Sequence, residues 1–398
     1  MHTLMKKIII YRYGSICEPF IINALATLDI TVHEITTEIT NKELSAKVQL
    51  NAVHEHLSAE HYDAIFSINF FPVISEVCRI HKTPYICLTV DCPVFELYSS
   101  SIKNQWNRMF LFDYAQYQEF APKNPECIYY MPLAADVAHY DSVIKSITKA
   151  DDRFKSDVSF VGSLYSEKSP YNEATHLPPY LKGYLDAVCN AQLKVYGYNF
   201  LPEVLTQENV NEYKKYEAFY QFPENAEQNE IAFLAHGILG YHVAELERKQ
   251  MLNALAEHFN VDLYTASDTT DLPKVHNRGT AKTLTEMPKI FHLSKINLNF
   301  SIKPIQTGLP LRIFDIMGCG GFVLTNYQTE IPEYFEIGKD LETFGSEAEL
   351  IDKVRYYLEH EEERAAIALN GYKKVCEQHT WIHRVRDMLT IVFGDNYL

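Results

Sequence analysis

The strongest constraint on the fold of this chain is a regular alternation of short apolar runs with amphipathic stretches. The apolar runs have the length and β-branched content of strands, while the stretches between them have helical spacing. Because consecutive strands joined by helices pair in parallel, the pattern predicts an α/β fold with doubly wound parallel sheets. Strands are predicted at residues 7–11, 63–68, 85–90, 109–112 and 128–131, and again at 157–161, 261–265, 296–300 and 322–324.

The length of the chain predicts two domains. A single hydrophobic core rarely grows beyond about 250–300 residues, and this chain has 398. Residues 137–155 are polar and lack a strand pattern, after which the run DVSFV starts a new strand at Asp157. We therefore predict an N-terminal Rossmann-like domain over 1–155 and a second domain over 156–380, which a helical insertion around 167–240 enlarges.

Charge and cysteine usage exclude several classes of protein. The formal net charge is −16, whereas nucleic acids and anionic membranes attract concentrated positive charge, so no nucleic-acid partner is expected. Apolar runs stay far below the about 20 residues that span a bilayer, so we expect a cytoplasmic protein without a transmembrane segment. The eight cysteines are scattered, and no His or Cys spacing is typical of a metal site. We therefore expect reduced thiols and no metal.

Residues 308–330, GLPLRIFDIMGCGGFVLTNYQTE, form the densest local signal. Pro310 suits the start of a helix, and the GCGG run ends it, which predicts about two helical turns over 311–317. Arg312 and Asp315 lie three residues apart and therefore share one face of that helix.

The strand that follows this helix is predicted to end at a ligand site. Open α/β sheets bind ligands at the carboxyl ends of their strands, and the apolar run over 322–324 leads to Thr325 and Asn326. A second interpretation, an internal Arg–Asp pair on a helix packed by glycines, is equally open on these residues alone. The candidate nucleotide ligands are Arg312 for phosphate, Asp315 for ribose hydroxyls, and Gly320 and Gly321 for close approach of the backbone.

Polar residues follow other predicted strands as well. Because the carboxyl ends of parallel strands meet at one edge of a sheet, each set is expected to line a cleft. Each residue also has a structural interpretation as a turn or cap residue. In the first domain, the residues that follow predicted strands are Gly14, Ser15, Asn69, Asp91 and Asp113. In the second domain they are Gly162 and Ser163, followed by Lys168.

The run RIFDIMGCGGFVLTNYQTEIPEYF over 312–335, its lead-in over 286–301 and the ending over 349–384 resemble GT-B glycosyltransferases, specifically their CgeB-like branch. Residues 62–78, 91–93 and 110–117 are similar to the domain commonly fused to such transferases. The resemblance covers nearly the whole chain. It implies two Rossmann-like domains that face each other across a cleft, with the nucleotide-sugar in the second domain and the acceptor in the first. A C-terminal helix over 381–398 would cross back to the first domain.

The chain departs from the large retaining relatives of this fold at two positions. Asp315 takes the place of a glutamate that binds ribose, and its side chain is one methylene shorter. The other glutamate of their motif, eight residues upstream, is replaced by Thr307, with Gln306 beside it. The resemblance therefore implies sugar transfer and leaves open whether the anomeric configuration is retained or inverted.

The implied function is that of a hexosyltransferase. The donor would be a nucleotide-diphosphate sugar, with UDP-sugars such as UDP-GlcNAc or UDP-glucose as the expected donors, and the acceptor a hydroxyl of a protein or surface glycan. Cations and helix N-termini can stabilise the leaving diphosphate, so no metal or other cofactor is expected. Arg312 is the leading phosphate ligand, and an inverting enzyme would use Asp91 as general base. Glu330 is expected near the donor. Further donor-side candidates are the backbone at Thr325 and Asn326, with Gly162, Ser163, Lys168, Arg278 and Gly279; acceptor-side candidates are Gly14, Ser15, Asn69 and Asp113.

Two other functions are compatible with the same sequence. A sugar-nucleotide epimerase would interconvert a UDP-sugar without any acceptor. A non-catalytic nucleotide-sugar-binding protein would bind the nucleotide and release none from any donor.

Overall fold

The computed structural model describes residues 6–41 and 44–397, which form two compact units. The first unit comprises the described chain up to Ala134, with Phe222–Gln228 and the residues from His379 onward. The second comprises Ala135–Gln221 and Asn229–Gln378. Each unit holds one six-stranded sheet in which every pair of neighbours is parallel, so the predicted α/β fold is confirmed.

The sheet of the first unit has the strand order β2-β1-β3-β4-β5-β6. The central strand β3, AIFSI, is buried along its whole length, as expected for a strand covered on both faces. The strands are β1 (Lys7–Tyr11), β2 (Thr31–Ile35), β3 (Ala64–Ile68), β4 (Tyr85–Leu88), β5 (Asn107–Leu111) and β6 (Ile128–Tyr130).

The sheet of the second unit has the order β12-β11-β10-β7-β8-β9. Its core packs aliphatic and aromatic side chains of the central strands against the flanking helices. The strands are β7 (Ser156–Val161), β8 (Val261–Tyr264), β9 (His276–Asn277), β10 (Ser294–Asn299), β11 (Val323–Asn326) and β12 (Glu342–Phe344).

Helices connect the strands of both sheets, and none of the described helices is long and apolar enough to cross a membrane. A π-helical stretch, Phe233–Leu239, leads into α11. The helices are α1 (Glu18–Thr27), α2 (Thr37–Thr40), α3 (Ala46–Ala59), α4 (Pro72–His81), α5 (Tyr114–Phe120), α6 (Val137–Lys145), α7 (Pro179–Gln192), α8 (Leu201–Val204), α9 (Gln207–Tyr216), α10 (Glu230–Ala232), α11 (Gly240–Ala256), α12 (Met287–Leu293), α13 (Leu311–Gly318), α14 (Ile331–Tyr334), α15 (Glu347–Glu359), α16 (Glu361–Gln378) and α17 (Trp381–Phe393).

The elements that were not expected from the sequence include two edge strands and one helix at the predicted domain boundary. The edge strands β2 and β12 are short and contain polar residues, so they lack the apolar run of a central strand. Helix α6 lies in the polar stretch that we took for a boundary, and its Tyr140 is fully buried. For this reason the division between the units falls at Ala134–Ala135 and not near residue 155.

The predicted helical insertion is interrupted by a segment that belongs to the first unit. Residues Phe222–Gln228 lie against the chain that follows β4. Ala226 forms an antiparallel bridge with Ser99, and the N–H of Glu227 donates to the carbonyl of Tyr98 at 2.9 Å. An ion pair between Lys123 and Glu227 adds a side-chain contact.

Two helical glycines predict opposite effects of the same substitution. A Cβ at Gly371 in α16 would overlap the carbonyl oxygen of Asp340 and lie 2.8 Å from Cε of Met317, whereas one at Gly183 in α7 would meet nothing within 4 Å. We expect Gly371→Ala to lower the free energy of unfolding by about 1–3 kcal/mol through overpacking. Gly183→Ala should raise it by up to about 1 kcal/mol, because alanine favours helix. Urea denaturation measures both, and equal effects would contradict the packing at Gly371.

Candidate functional site

Buried polar side chains hold the loop after β10 at the carboxyl edge of the second sheet. Oδ1 of Asn326 accepts a hydrogen bond from the backbone N–H of Ser301 at 2.6 Å. Beside it, Nδ2 of Asn299 donates to the hydroxyl of Thr325 at 2.9 Å. Thr325 and Asn326 therefore support this loop from within the sheet, and their contact with a donor stays a prediction.

Arg312 lies in the first turn of α13, and this helix begins at the same carboxyl edge because it follows the loop after β10. Its Nη1 is 3.2 Å from Oδ2 of Asp315, and its guanidinium lies 5.2 Å from the ring centroid of Phe291. The side chain is 24% exposed. Arg312 is thus a fixed, partly exposed cation beside a helix N-terminus, where the helix dipole also favours anions.

Asp315 is enclosed by its partners. It is 1% exposed, and its Oδ1 accepts a hydrogen bond from the hydroxyl of Tyr140 at 2.6 Å. Burial raises the pKa of Asp315, while the charge of Arg312 acts in the opposite direction. The internal Arg–Asp pair left open by the sequence is present, and this geometry argues against the predicted contact between Asp315 and ribose.

The structure contradicts the role predicted for Gly320 and Gly321. Both precede β11, so they lie at the amino edge of the sheet, opposite the edge where α13 begins. Gly320 has a φ of 69°, which suits glycine at the turn. A Cβ at Gly321 would lie 2.7 Å from the carbonyl oxygen of Phe291 and 2.8 Å from Nδ2 of Asn297. These glycines permit a tight turn and close internal packing.

The loop after β7 uses its polar groups locally. The N–H of Gly162 continues the ladder by donating to the last carbonyl of β8 at 3.0 Å. The hydroxyl of Ser163 donates to Glu167 at 2.6 Å and accepts from the N–H of Tyr165 at 2.8 Å. Lys168 is exposed, and its ammonium lies 5.0 Å from the ring centroid of Tyr165. Donor binding by these residues stays a prediction.

Arg278 and Gly279 follow the outermost strand, β9. The guanidinium of Arg278 donates to the carbonyl of Arg153 at 2.5 Å and lies 3.8 Å from Asp262. Gly279 is exposed with a φ of 75°. Helix α13 packs on β10 and β11. In the sheet, β7 and β8 lie between β10 and β9, so they separate α13 from the loop that follows β9. A donor role for Arg278 and Gly279 stays a prediction.

Sequence reasoning missed a buried cation at the carboxyl edge, Arg248 of α11. Its Nη1 donates to the carbonyl of Ser163 at 2.6 Å and its Nη2 to the carbonyl of Phe300 at 2.7 Å. The residue is 7% exposed, and its Nε has no hydrogen-bond partner among the described residues. Burial lowers the pKa of Arg248, and repulsion from the Arg312 charge acts in the same direction. A lone arginine within a helix carries no sequence motif that would have identified it.

A second missed cation, Lys303, lies in the loop after β10. Its Nζ is 3.1 Å from Oε1 of Glu247 and 4.5 Å from the ring centroid of Tyr196. Both members of the pair are buried, at 6% and 1% exposure. The carbonyl of Lys303 accepts from Asn199 at 3.0 Å, so the helical insertion also contacts this loop.

Glu330 directly precedes α14, as its helix-start interpretation requires. Its Oε1 accepts a hydrogen bond from the hydroxyl of Thr307 at 2.6 Å, and its N–H donates to the carbonyl of Thr307 at 3.2 Å. The structure thus brings together two positions singled out separately in the sequence. Contact of Glu330 with a donor stays a prediction.

In the first unit, the Gly14–Ser15 loop encloses a buried carboxylate. Oε1 of Glu18 accepts hydrogen bonds from the N–H groups of Tyr13, Gly14 and Ser15 at 2.9–3.0 Å. Its Oε2 accepts from Nε of Arg12 at 3.0 Å. These backbone donors therefore already have an anionic partner within the protein, and acceptor binding by Gly14 and Ser15 must use other groups.

Asn69 and Asp91 form one hydrogen-bonded group at the carboxyl edge of the first sheet. Asn69 adopts a left-handed conformation with a φ of 56°, and its Nδ2 lies 2.6 Å from Oδ2 of Asp91 and 2.9 Å from the hydroxyl of Tyr13. Its Oδ1 accepts from the N–H of Val90 at 3.0 Å. Asp91 itself is exposed. Asn69 therefore orients an exposed carboxylate, a function that the sequence did not suggest.

Asp113 caps the N-terminus of α5, which is the structural interpretation that the sequence had left open for this residue. It is fully buried, and its Oδ1 accepts from the N–H of Gln116 at 3.0 Å at the start of α5. Direct contact of its side chain with an acceptor sugar is therefore not supported.

Across residues 6–41 and 44–397, no three His, Cys, Asp or Glu side chains are grouped to hold a metal ion. Independence from metal stays a prediction.

Solved structures that share this fold include glycosyltransferases. Anabaena HepE, in complex with UDP and glucose, is 13% identical with a TM-score of 0.53, and the match covers 99% of this chain and 100% of that one. T4 phage BGT, in complex with its UDP-glucose substrate, is 10% identical with a TM-score of 0.50 and 98% coverage of both chains. A Rickettsia africae ESF-5 glycosyltransferase is 9% identical with a TM-score of 0.50 and the same coverage. The chain has the GT-B fold.

The family comparison concerns the C-terminal part of the chain. Residues 248–390 match the family model described as glycosyl transferase-like, a span that includes Arg248, Lys303, Arg312 and Glu330. No curated protein sequence matches the chain. Glycosyl transferase-like sequence and GT-B fold therefore coincide, while the CgeB-like branch stays a prediction.

The buried pair of Lys303 and Glu247 predicts a strong dependence of stability on both partners. We expect Glu247→Gln or Lys303→Met alone to lower the free energy of unfolding by about 3–5 kcal/mol, because each leaves an uncompensated buried charge. The double variant should lose less than the sum of the two. Lys339→Met, which breaks an exposed pair with Glu336, is the control and should change little. Additive losses in urea denaturation would contradict this coupling.

Proposed function

We propose that this protein is a glycosyltransferase that moves a hexose from a UDP-sugar, such as UDP-glucose or UDP-GlcNAc, to a hydroxyl of a protein or surface glycan. We further propose that it acts in the cytoplasm and without a metal. The resemblance of residues 312–335 to the CgeB-like branch suggests this acceptor class. The GT-B fold and the glycosyl transferase-like match over residues 248–390 support sugar transfer in general.

The observation that most supports the proposal is the partly exposed guanidinium of Arg312 at the carboxyl edge of the second sheet. Arg248 lies buried at the same edge, where it holds the carbonyls of Ser163 and Phe300. A diphosphate would accept charge-assisted hydrogen bonds from the guanidinium of Arg312. The N-terminus of α13 adds to the same positive potential.

The reaction requires charge stabilisation on the leaving group. As the bond from the sugar to the diphosphate breaks, negative charge develops on the phosphate oxygen, and fixed guanidinium donors lower the energy of that state. In an inverting reaction, Asp91 would take the proton of the acceptor hydroxyl. Asn69 would hold Asp91 in position through its amide hydrogen bond.

Nucleotide binding is the first test. Thermal shift with UDP, GDP, dTDP, CDP and their common sugars should show stabilisation by UDP, because a ligand at 100 times its dissociation constant adds about 2.7 kcal/mol. Arg312→Ala should weaken UDP binding about tenfold to hundredfold, as expected for lost hydrogen bonds to a charged group. Arg355→Ala, which removes an exposed arginine paired with Asp352, is the control. The proposal fails if no nucleotide changes the melting temperature.

The proposed base predicts a change in turnover without a change in donor affinity. Asp91→Asn should lower kcat by about 10²–10⁴-fold, the usual contribution of general-base catalysis, with the UDP thermal shift unchanged. Asn69→Ala should lower kcat by a smaller factor, because Asp91 remains but loses its orientation. UDP release from UDP-glucose measures both. Full activity of Asp91→Asn would remove this role, and interconversion of the UDP-sugar without acceptor would identify an epimerase.

A further inference from the structure

A buried histidine of the helical insertion lies against the loop after β10. His236 belongs to the π-helical stretch that leads into α11, a rare conformation that occurs often at functional sites, and it is 9% exposed. Its Nδ1 is 3.3 Å from Nδ2 of Asn199, which also donates to the carbonyl of Lys303 at 3.0 Å. A Cβ at Gly240, four residues further on, would lie 2.8 Å from Cγ of Pro304. The π-helical stretch and the start of α11 therefore both pack on this loop.

The partners of Asn199 fix the position of the proton on His236. Oδ1 of Asn199 accepts from the N–H of Leu201 at 3.1 Å, so its amide nitrogen is the atom that faces Lys303 and His236. Because an amide nitrogen only donates, Nδ1 of His236 accepts and carries no proton. Burial lowers the pKa of His236 to about 4, so the ring is neutral near pH 7. The single proton of this neutral imidazole is consequently on Nε2.

The Nε2–H group of His236 is a donor that the protein itself does not use. Nε2 forms no hydrogen bond within residues 6–41 and 44–397, and it is not sealed from solvent. A donor that is largely buried without a partner has lost hydration for no hydrogen bond, and a ligand that accepts from it would recover this free energy. A neutral N–H suits a neutral oxygen such as a hydroxyl, whereas the fixed charge of Arg312 suits phosphate.

The loop on which His236 lies leads to the proposed phosphate ligand. It ends at the start of α13, and Arg312 lies in the first turn of that helix. Nε2 of Gln328 donates to the carbonyls of Ile305 and Gly308 at 3.1 and 3.2 Å, which holds the loop between these two points. His236 and Arg312 are thus placed along one ordered segment. The sugar of a nucleotide-diphosphate donor is joined directly to the phosphate that Arg312 would bind.

We infer that His236 recognises the sugar of the donor by donating a hydrogen bond from Nε2–H to one of its hydroxyls. This inference rests on the proposed function. Asn199 is then a positioning residue, because it holds the imidazole in the tautomer that presents a donor. His236 contributes to the affinity for a UDP-sugar and not to the affinity for UDP.

The test compares UDP with UDP-sugars on the full chain. Isothermal titration calorimetry gives the dissociation constants of UDP, UDP-glucose and UDP-GlcNAc for the wild type and the variants. We expect His236→Phe to weaken the binding of the UDP-sugars about fivefold to tenfold, in line with the loss of one hydrogen bond, and to leave UDP binding unchanged. His236→Gln keeps an N–H donor and should retain most of the affinity.

A control variant and a direct measurement complete the test. His292→Phe removes an imidazole at the amino edge of the same sheet, where Nδ1 is 3.0 Å from the carbonyl of Cys319, and should change none of the three constants. Long-range ¹H–¹⁵N NMR of protein labelled at histidine reports the tautomer without any substitution in the measured sample. The signal that is lost in His236→Gln identifies His236, and we expect its proton on Nε2 at pH 7.

The outcomes separate the two proposals. Absence of UDP binding would overturn the proposed function itself. If UDP binds but His236→Phe weakens UDP and the UDP-sugars equally, or weakens neither, only the sugar contact is overturned. A proton on Nδ1 of His236 in the wild type would also overturn the contact, whether or not the variants fold.

Discussion

The carboxyl edge of the second sheet depends on one buried guanidinium. Arg248 reaches from α11 to the carbonyls of Ser163 and Phe300, which directly follow β7 and β10. These two charge-assisted hydrogen bonds tie together the loops that leave the two central strands. The loop after β10 leads to Lys303, Thr307 and the start of α13, so the position of Arg312 also depends on this support. A charge that is costly to bury is therefore used to order the backbone around it.

The sequence predicted those features that follow from periodicity and from local residue preference. Lys7–Tyr11 has the predicted bounds and the helix Trp381–Phe393 begins at the predicted residue, because an apolar strand run and a capped helix start are local signals. Arg312 and Asp315 share a helical face as predicted. Gly320 and Gly321 were misinterpreted, because a glycine needed for packing and one needed for ligand approach are identical in sequence. Only the topology, which places them before β11, distinguishes the two.

Other features depend on contacts between distant residues, and no local pattern encodes those. Arg248 lies in an ordinary helical stretch, and its importance follows from carbonyls 85 and 52 residues away. The sequence suggested Asn69 as a ligand of the acceptor sugar. In the structure, its side-chain amide instead orients the carboxylate of Asp91, which lies 22 residues further along the chain. The hydrogen bonds from Gly14 and Ser15 to the carboxylate of Glu18 were likewise not predicted. An acidic residue in the first turn of a helix is usually explained by its interaction with the helix dipole. The sequence therefore identified the edges of the sheets better than the groups that order them.

The chain passes between the two units four times, at residues 134–135, 221–222, 228–229 and 378–379. The first unit is consequently assembled from three separate stretches, of which the last, with α17, packs on α1. Arg384 of that helix donates to the carbonyl of Pro132 at 2.8 Å. During synthesis, the ribosome therefore releases the final piece of the N-terminal unit only after the whole second unit has been made. A fragment that ends at residue 134 contains six strands but lacks the helix that covers α1, and the two units are not separable by a single cut.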